Sequence, residues 1–382
     1  MTQCHVCHST QIERVQTPER IAHLVSSDAQ PVEGNVAWAV CRSCSTIQKV
    51  VDDDWRLMAE RIYADYDINH QAGGEEPRLF NTAFGIGPRT QILMKFLLQS
   101  FDLPAAGKLL DIGCANGNLL KTAHSVRPCW ELFGSEISDH CKNEVLALPG
   151  VRDFYIGQKI DYPSRYDLIT LSHVLEHVED PAALLQPLSR HLTAGGKLVL
   201  LVPDIRRNPI DLLIADHCSH LDENSLSCVL TMAGFEIEQL NVDAIPKELV
   251  AICSVARPSA RRRPDIVFDV APGALCRNYF RLIDGVLDAA VQAAAGGAKF
   301  GVMGSSIAAA WLAAELQERV QFFVDEDASR IGHKLLGRPI LGLADIPPQA
   351  TVFIPMSAPV ARSIIARAGG LPVRFEYVDW NR

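Results

Sequence analysis

The sequence predicts an α/β protein built in three parts, and three observations support that prediction. Two Cys-x-x-Cys pairs lie near the N-terminus, strands and helices alternate over about 89–256, and a second alternation follows residue 300. The 382 residues suffice for two or three domains. We expect an N-terminal metal-binding module at 1–60, a central doubly wound Rossmann-like domain at 61–256, and a smaller Rossmann-like domain at 265–382.

Composition and charge exclude several classes of protein. Hydrophobic residues make up 48% and charged residues 21%, which is typical of a globular chain. The net charge of −9 argues against nucleic acid as a partner, because neutralising phosphates requires a basic surface. The apolar stretch 300–314 is too short for a membrane span of about 20 residues, and the N-terminus lacks a signal-peptide pattern. We expect a cytoplasmic protein without a membrane partner.

Four of the eleven cysteines form a candidate metal site. They are Cys4, Cys7, Cys41 and Cys44. Two residues separate the members of each pair, so each pair can bind a tetrahedral ion from one tight turn. Four sulfurs fill the coordination sphere, which predicts a structural Zn²⁺ rather than a catalytic one. The alternatives are four buried free cysteines or a redox pair, and the 33-residue spacing exceeds the usual zinc-ribbon value of about 15–20.

The central domain is predicted from its hydrophobic pattern, element by element. The predicted helices are 89–100, 118–125, 139–148, 181–191 with Asp180 as N-cap, and 226–233. The predicted strands are 108–113, 131–136, 167–172, 197–203, 235–242 and 249–256. The run 197–203 is continuously apolar, as in a strand buried on both faces.

The C-terminal part has its own alternation. Strands are predicted at 300–304, 321–325, 351–355 and 373–378, and helices at 306–316 and 360–368. The basic and proline-containing run 257–264 is typical of a solvated linker before it. Its turn Gly301-x-x-Gly304 lacks the third glycine of a dinucleotide site, which favours a structural domain or a pocket wall.

A glycine turn in the central domain predicts a ligand site. The strand ending at Asp111 runs into Gly113, and Gly117 precedes the next helix, so a ligand can approach the backbone there. Glu136 ends the following strand, 23 residues after Gly113, where a carboxylate can accept both hydroxyls of a ribose. The turn departs from the GxGxxG pattern, so a tight turn without a ligand is the alternative.

These segments resemble a known family. Residues 111–117, Glu136, 166–177 and 192–197 are similar, in order and spacing, to the motifs of class I S-adenosylmethionine-dependent methyltransferases. The resemblance implies that 61–256 is the methyltransferase domain. It also implies a set of cofactor-binding residues: Asp111, Gly113, Cys114, Gly117, Glu136, Ile137, Ser172 and His173. The whole layout resembles a narrower group, the zinc-containing C-methyltransferases of nucleotide-linked deoxysugars, which implies a nucleotide-sugar as the substrate.

The same resemblance implies a catalytic segment near residue 217. In the sugar C-methyltransferases a Tyr-His-Glu-His run ends in the proposed general base, and Asp216-His217 matches its Glu-His end. The tyrosine position holds Ile214, which favours an O- or N-methyltransferase as the alternative. His220 is a further catalytic candidate, and His70 and Tyr66 come next. A non-catalytic zinc-and-Rossmann binding module is the third possibility.

One rival motif overlaps this region. The run from His173 to His177 has the H-x-x-E-H form of the inverted zinc-protease signature. That signature needs a long helix, whereas this run follows a strand directly and Pro181 starts the next helix. His177 itself fits a packed histidine as well as a functional one.

Overall fold

The computed structural model describes residues 3–33, 36–64, 66, 74–157, 160–257, 268 and 270–379. The elements of the N-terminal part are β1 (Ile12–Val15), β2 (Leu24–Val25), β3 (Pro31–Val32), β4 (Trp38–Cys41), β5 (Ile47–Lys49), α1 (Asp53–Ala64), β6 (Arg78–Thr82) and β7 (Gly85–Pro88). The basic run at 258–264 and His70 lie outside the described residues.

The central part begins with a helix and then alternates. Its elements are α2 (Arg89–Ser100), β8 (Lys108–Ile112), α3 (Asn118–Val126), β9 (Glu131–Glu136), α4 (Lys142–Leu146), β10 (Val151–Ile156), β11 (Tyr166–Ser172), α5 (Pro181–Leu185), β12 (Leu192–Pro203), β13 (Ser219–His220), α6 (Glu223–Met232), β14 (Phe235–Asn241) and β15 (Glu248–Val255). Short 3-10 helices lie at Leu175–His177, Gln186–Arg190 and Pro209–Leu213.

The central sheet has seven strands in the order β10-β9-β8-β11-β12-β15-β14. The first five are parallel, and β15 and β14 join antiparallel at one edge. Along β12 Leu198 and Leu200 face one hydrophobic core while Val199 and Leu201 face another, so the strand is buried on both sides. The predicted doubly wound α/β sheet is confirmed.

The element boundaries differ from the prediction at several elements, among them β12, which begins at Leu192 rather than at 197, and α6, which is Glu223–Met232 rather than 226–233. The helix expected over 139–148 is only α4, and the edge strand β10 follows it. That strand exposes Arg152 and Asp153, so it lacks the apolar signal of its neighbours. The helix expected over 181–191 changes to a 3-10 helix at Gln186, next to Pro187, whose ring cannot continue the α-helical bonding.

The C-terminal part has the elements α7 (Pro272–Ala294), β16 (Phe300–Met303), α8 (Ile307–Leu316), β17 (Phe322–Val324), β18 (Lys334–Leu335), β19 (Arg338–Leu341), β20 (Thr351–Ile354), α9 (Ala358–Ala368) and β21 (Arg374–Tyr377). They form a six-stranded sheet in the order β18-β19-β17-β16-β20-β21. The long helix α7 was not predicted; it packs against β1 and β4 of the N-terminal part.

The three parts share structure. The N-terminal sheet has the order β1-β4-β5-β13, so a two-residue strand of the central part completes it. Trp38, Ile210 and Trp311, one from each part, lie in a single hydrophobic core. The domain boundaries at 60 and 265 therefore stay predictions. Among the described residues, no helix combines the length and the apolar character that crossing a bilayer requires.

Candidate active site

The glycine turn lies between β8 and α3, at the carboxyl edge of the parallel strands. Gly113 and Gly117 have φ values of +71° and +78°, which side chains rarely adopt. A Cβ at Gly113 would lie 2.4 Å from Cγ2 of Val174, and one at Gly117 would lie 2.6 Å from Cδ1 of Leu148. Both positions therefore require glycine, and the turn keeps its backbone open to a ligand.

Glu136 faces this turn from the end of β9. Its carboxylate accepts the N–H of Ala115 at 3.1 Å and that of Ile137 at 2.8 Å. The Ile137 side chain is 53% exposed at the same edge. The open glycine turn allows a cofactor to contact the backbone, and the Glu136 carboxylate beside it can accept the ribose hydroxyls of an adenosine cofactor.

Asp111 and Cys114 lie beneath the turn rather than on its open face. Asp111 is 3% exposed and accepts the hydroxyl of Thr170 at 2.7 Å, and burial raises its pKa to about 7. Cys114 is also buried, and burial raises the pKa of its thiol. Their side chains support the turn from below, and direct contact with a cofactor stays a prediction for them.

Ser172 and His173 lie at the end of β11, beside the turn. His173 has φ +55°, and its N–H donates to the carbonyl of Leu201. Its ring faces Glu176 at 3.1 Å and Glu248 at 3.3 Å. Burial opposes protonation, but Glu248 and then Glu176 raise the pKa of His173 to about 9. His173 is therefore a cation within an ionic cluster at the sheet edge.

His217 is oriented by a carboxylate that sequence proximity did not suggest. Asp211, in the 3-10 helix Pro209–Leu213, has its Oδ1 2.9 Å from Nδ1 of His217. Burial opposes ionisation of Asp211, yet His217 and His220 hold its pKa well below the usual range. An ionised carboxylate only accepts hydrogen bonds, so Nδ1 of His217 is the donor to Asp211 and Nε2 is the ring nitrogen left for another partner.

Asp216, which precedes His217 in the chain, contacts the ring of His177 instead. Its carboxylate accepts the N–H of Ser27 at 2.8 Å and the Ser27 hydroxyl at 2.6 Å, and it lies 3.3 Å from Nδ1 of His177. Burial opposes ionisation of Asp216, but His177 holds its pKa low. The hydroxyl of Tyr63 lies 2.8 Å from the same Nδ1. The carboxylate that contacts the His217 ring is therefore that of Asp211 and not that of the adjacent Asp216.

His220 has both ring nitrogens engaged. Nδ1 lies 2.5 Å from Asp211, and Nε2 lies 3.4 Å from Nζ of Lys49. Lys49 is fully buried, and it also donates to the carbonyls of Ile214 and His217. Burial lowers the pKa of Lys49 to about 8, and burial and then Lys49 lower that of His220 to about 4. His220 has no free lone pair for a substrate proton, so it positions its neighbours.

His217 is connected to the glycine turn through the segment that follows β11. Val174 contacts the turn at Gly113, and the ring of His177, three residues on, lies 4.6 Å from that of His217 at nearly a right angle. Tyr66, a further candidate, is near Tyr63, with 6.3 Å between ring centroids. Burial raises the pKa of Tyr66 to about 12, so it is protonated at neutral pH.

Sequence reasoning missed Asp211, Lys49 and Tyr63. Asp211 precedes His217 by six residues in an apolar stretch that showed no helical period. The sequence signal for Lys49 was a lysine within the otherwise uncharged strand β5. Only the folded structure shows that its ammonium group donates to the carbonyl of His217, 168 residues later in the chain.

The four cysteines come together as expected for one metal site. Cys4 and Cys44 have their sulfurs 3.4 Å apart, Cys7 and Cys41 have theirs 3.5 Å apart, and all four lie within 4.8 Å of one another. Zinc–sulfur bonds of about 2.3 Å in a tetrahedron place sulfurs about 3.8 Å apart, so this donor set fits a Zn²⁺ ion.

The fold and the glycine turn are those of a Rossmann-like α/β domain. Comparison with known proteins indicates which kind of enzyme this domain is similar to. Residues 89–240 match the model of a family described as a methyltransferase domain. Ubiquinone biosynthesis O-methyltransferase of Leptothrix cholodnii is 30% identical over 121 residues, 28% of this chain and 48% of that protein. The protein of that name from Pseudomonas aeruginosa is 31% identical over 124 residues, 29% and 50% of the two chains. The chain thus spans about half the length of the curated relatives it matches.

Residues 89–240 therefore match a methyltransferase domain, which agrees with the predicted S-adenosylmethionine-dependent methyltransferase. Among solved structures, an S-adenosylmethionine-dependent methyltransferase from Clostridium acetobutylicum is 11% identical, covers 53% of this chain and 97% of its own, and has a TM-score of 0.37. The run from His173 to His177 forms only a three-residue 3-10 helix at its end, which excludes the long helix of the protease signature.

Proposed function

We propose that the protein transfers a methyl group from S-adenosylmethionine to a small-molecule acceptor, with His217 as general base. One observation carries the proposal: the buried carboxylate of Asp211 holds Nδ1 of His217 at 2.9 Å, which leaves Nε2 as a proton acceptor. A general base beside a methyl-donor site is what methylation of a weakly acidic position requires.

The residues around the turn are assigned to the cofactor. Because Gly113 and Gly117 have no side chains, the cofactor can contact the backbone of the turn. The Glu136 carboxylate accepts hydrogen bonds from the ribose hydroxyls of the cofactor. When bound, S-adenosylmethionine supplies an electrophilic methyl carbon on a sulfonium. His217 removes a proton from the acceptor, which becomes the nucleophile, and the surrounding buried groups exclude water from the aligned reactants.

For the acceptor we propose a nucleotide-linked keto-deoxysugar, methylated on the carbon next to its carbonyl. A C–H beside a carbonyl is acidic enough for a positioned histidine to remove, and the resulting enolate would accept the methyl group as the methyl–sulfur bond breaks and the sulfur leaves as a thioether. The proposal is supported by the resemblance of the whole layout to the sugar C-methyltransferases. A structural Zn²⁺ on the four cysteines and a cytoplasmic location belong to the same proposal.

O-methylation of another small metabolite is the second candidate. It is favoured by the names of the relatives, which are O-methyltransferases, and by Ile214 at the position where the resemblance expects tyrosine. An O-methyltransferase acting on an acidic hydroxyl needs the base less as pH rises.

The test is an assay of the full chain with S-adenosylmethionine and a panel of nucleotide-linked keto-sugars and catechols. We expect a mass gain of one methyl group on a sugar, with carbon-bound methyl signals by NMR. His217→Asn lowers turnover about 10²–10⁴-fold and leaves cofactor affinity intact. His333→Asn, an exposed histidine of the C-terminal part, is the matched control. Transfer of the methyl group to oxygen contradicts the proposed carbon methylation. A turnover loss below tenfold in His217→Asn contradicts the role of His217 as general base.

A further inference from the structure

A second group of metal-ligand types lies at the sheet edge, apart from the cysteines. Glu176, His177 and His217 each offer one ligand atom, and these atoms lie within 4.8 Å of one another. Ligand atoms about 2.0–2.2 Å from one ion lie about 3–4 Å apart, so side-chain shifts of about 1 Å suffice to complete such a site. Glu176 and His217 are only 1% and 4% exposed.

Glu176 has an oxygen that no described residue satisfies. Its Oε1 lies 3.1 Å from Nδ1 of His173, but its Oε2 is buried and receives no hydrogen bond from the described residues. A buried carboxylate oxygen without a donor or a cation is strongly disfavoured. The oxygen points to a positively charged or hydrogen-donating ligand at this place.

The two imidazoles are held in the manner of metal ligands. Nδ1 of His217 binds Asp211, and Nδ1 of His177 faces Asp216 and the hydroxyl of Tyr63. Because each Nδ1 has an acceptor, Nε2 is the nitrogen that each ring has left for a ligand, and neither Nε2 has a hydrogen bond to a described residue. Carboxylate–histidine pairs of this kind orient and strengthen histidine ligands of metals.

A neighbouring cluster of possible metal ligands is explained by hydrogen bonds alone. Asp211, His217 and His220 also cluster, but the two histidines are hydrogen bonded directly to the Asp211 carboxylate, which explains their closeness without an ion. No such bond joins Glu176 to His177 or His217 among the described residues.

We propose that Glu176, His177 and His217 form a binding site for a divalent first-row transition ion of the Zn²⁺ and Co²⁺ class. One carboxylate oxygen and two imidazole nitrogens suit that class and leave at least one coordination position open. The proposal goes beyond methyl transfer and does not rest on it. An ion at this site occupies Nε2 of His217 and blocks proton removal there, so the metal-free chain carries the proposed reaction and the metal-bound chain is inhibited.

The test is a titration of the full chain with Co²⁺ alone, followed by calorimetry and visible absorption, without cofactor or acceptor. Cobalt on the four cysteines is recognised by intense thiolate charge-transfer bands, and cobalt on nitrogen and oxygen by weak d–d bands only. We expect one Co²⁺ per chain that gives weak d–d bands and no thiolate charge-transfer bands, in addition to any cobalt on the cysteines. Less than one such ion in the wild-type protein overturns the proposal without any variant.

Variants locate the ion. Glu176→Gln and His177→Ala each remove a ligand and weaken Co²⁺ binding by about 100-fold or more, and Asp211→Asn weakens it by about 10- to 100-fold. Glu179→Gln is the matched control, because Glu179 is half exposed and paired with Arg56 on the surface. Unchanged weak-band cobalt binding in both Glu176→Gln and His177→Ala overturns the assignment. Because no methyl transfer is measured, this failure is distinct from a failure of the proposed reaction.

Discussion

Asp211 and His217 form a buried carboxylate–imidazole pair, with 2.9 Å between Oδ1 and Nδ1. The pair links a 3-10 helix to the loop that leads into β13, and both side chains are almost fully buried. It fixes which nitrogen of His217 is free. The orientation of the proposed base thus depends on a residue six positions earlier in the chain.

Asp211→Asn therefore lowers turnover strongly. The amide no longer favours the proton on Nδ1, so we expect a loss of about 10²–10⁴-fold, comparable to losing the base itself. Affinity for S-adenosylmethionine, measured by calorimetry, stays within about threefold. Asp216→Asn is the control, because Asp216 binds Ser27 and His177 instead, and an equal loss in both variants contradicts the specific role of Asp211.

Glu136→Gln weakens cofactor binding. Losing a charged acceptor for the ribose hydroxyls costs about 1.5–3 kcal/mol, so the dissociation constant rises by roughly 10- to 150-fold. Glu131→Gln, at the start of the same strand and on the protein surface, leaves it unchanged. Equal affinities in the two variants remove Glu136 from the cofactor site.

Cys41→Ser removes one metal ligand and destabilises the protein. We expect the loss of the bound zinc, read by metal analysis, and a fall in unfolding free energy of more than about 4 kcal/mol. Cys129→Ser, an exposed free cysteine, changes neither quantity. A fully folded wild-type protein that contains no metal contradicts the prediction.

Gly113→Ala tests the tight approach at the cofactor turn. The new methyl group meets Val174 at 2.4 Å and the backbone stays at positive φ, so both stability and cofactor affinity fall. Gly195→Ala is the matched control, because Gly195 also has positive φ but a Cβ placed there would meet no atom within 4 Å. We expect Gly113→Ala to lower the unfolding free energy by at least about 1 kcal/mol more than Gly195→Ala, measured by urea unfolding. Equal losses in the two contradict the clash.

Asp111 gives the protein without cofactor a pH-dependent stability. Burial raises its pKa from 3.8 to about 7, so the folded state binds the proton more tightly than the unfolded state. This contribution is fully present below about pH 4 and is lost as pH rises through about 7, a difference of about 4 kcal/mol. Asp111→Asn keeps the acceptor for Thr170 and removes the charge. Its unfolding free energy at pH 8 exceeds that of the wild type, whereas an identical pH profile contradicts the raised pKa.

The sequence predicted most of the central sheet because its signals are local. The apolar run of β12 and the turn from Gly113 to Gly117 each follow from neighbouring residues. The edge strand β10 was missed because water-facing residues such as Arg152 erase its hydrophobic pattern. Likewise, the histidine was predicted but its partner was not, because only folding brings the carboxylate of Asp211 and the ammonium group of Lys49 to the loop that carries His217.

The two-residue strand β13 has a consequence for engineering this protein. Ser219 and His220 pair with Gln48 and Ile47, so the N-terminal sheet is closed by the same loop that carries the proposed base. A truncated gene that encodes only the methyltransferase fold would leave that loop without its neighbour. A chimaera that exchanges the first sixty residues for those of a relative would also replace Lys49, which donates to two carbonyls of that loop. The two segments therefore have to be exchanged together if the pairing of β13 with β5 and the hydrogen bonds of Lys49 are to be kept.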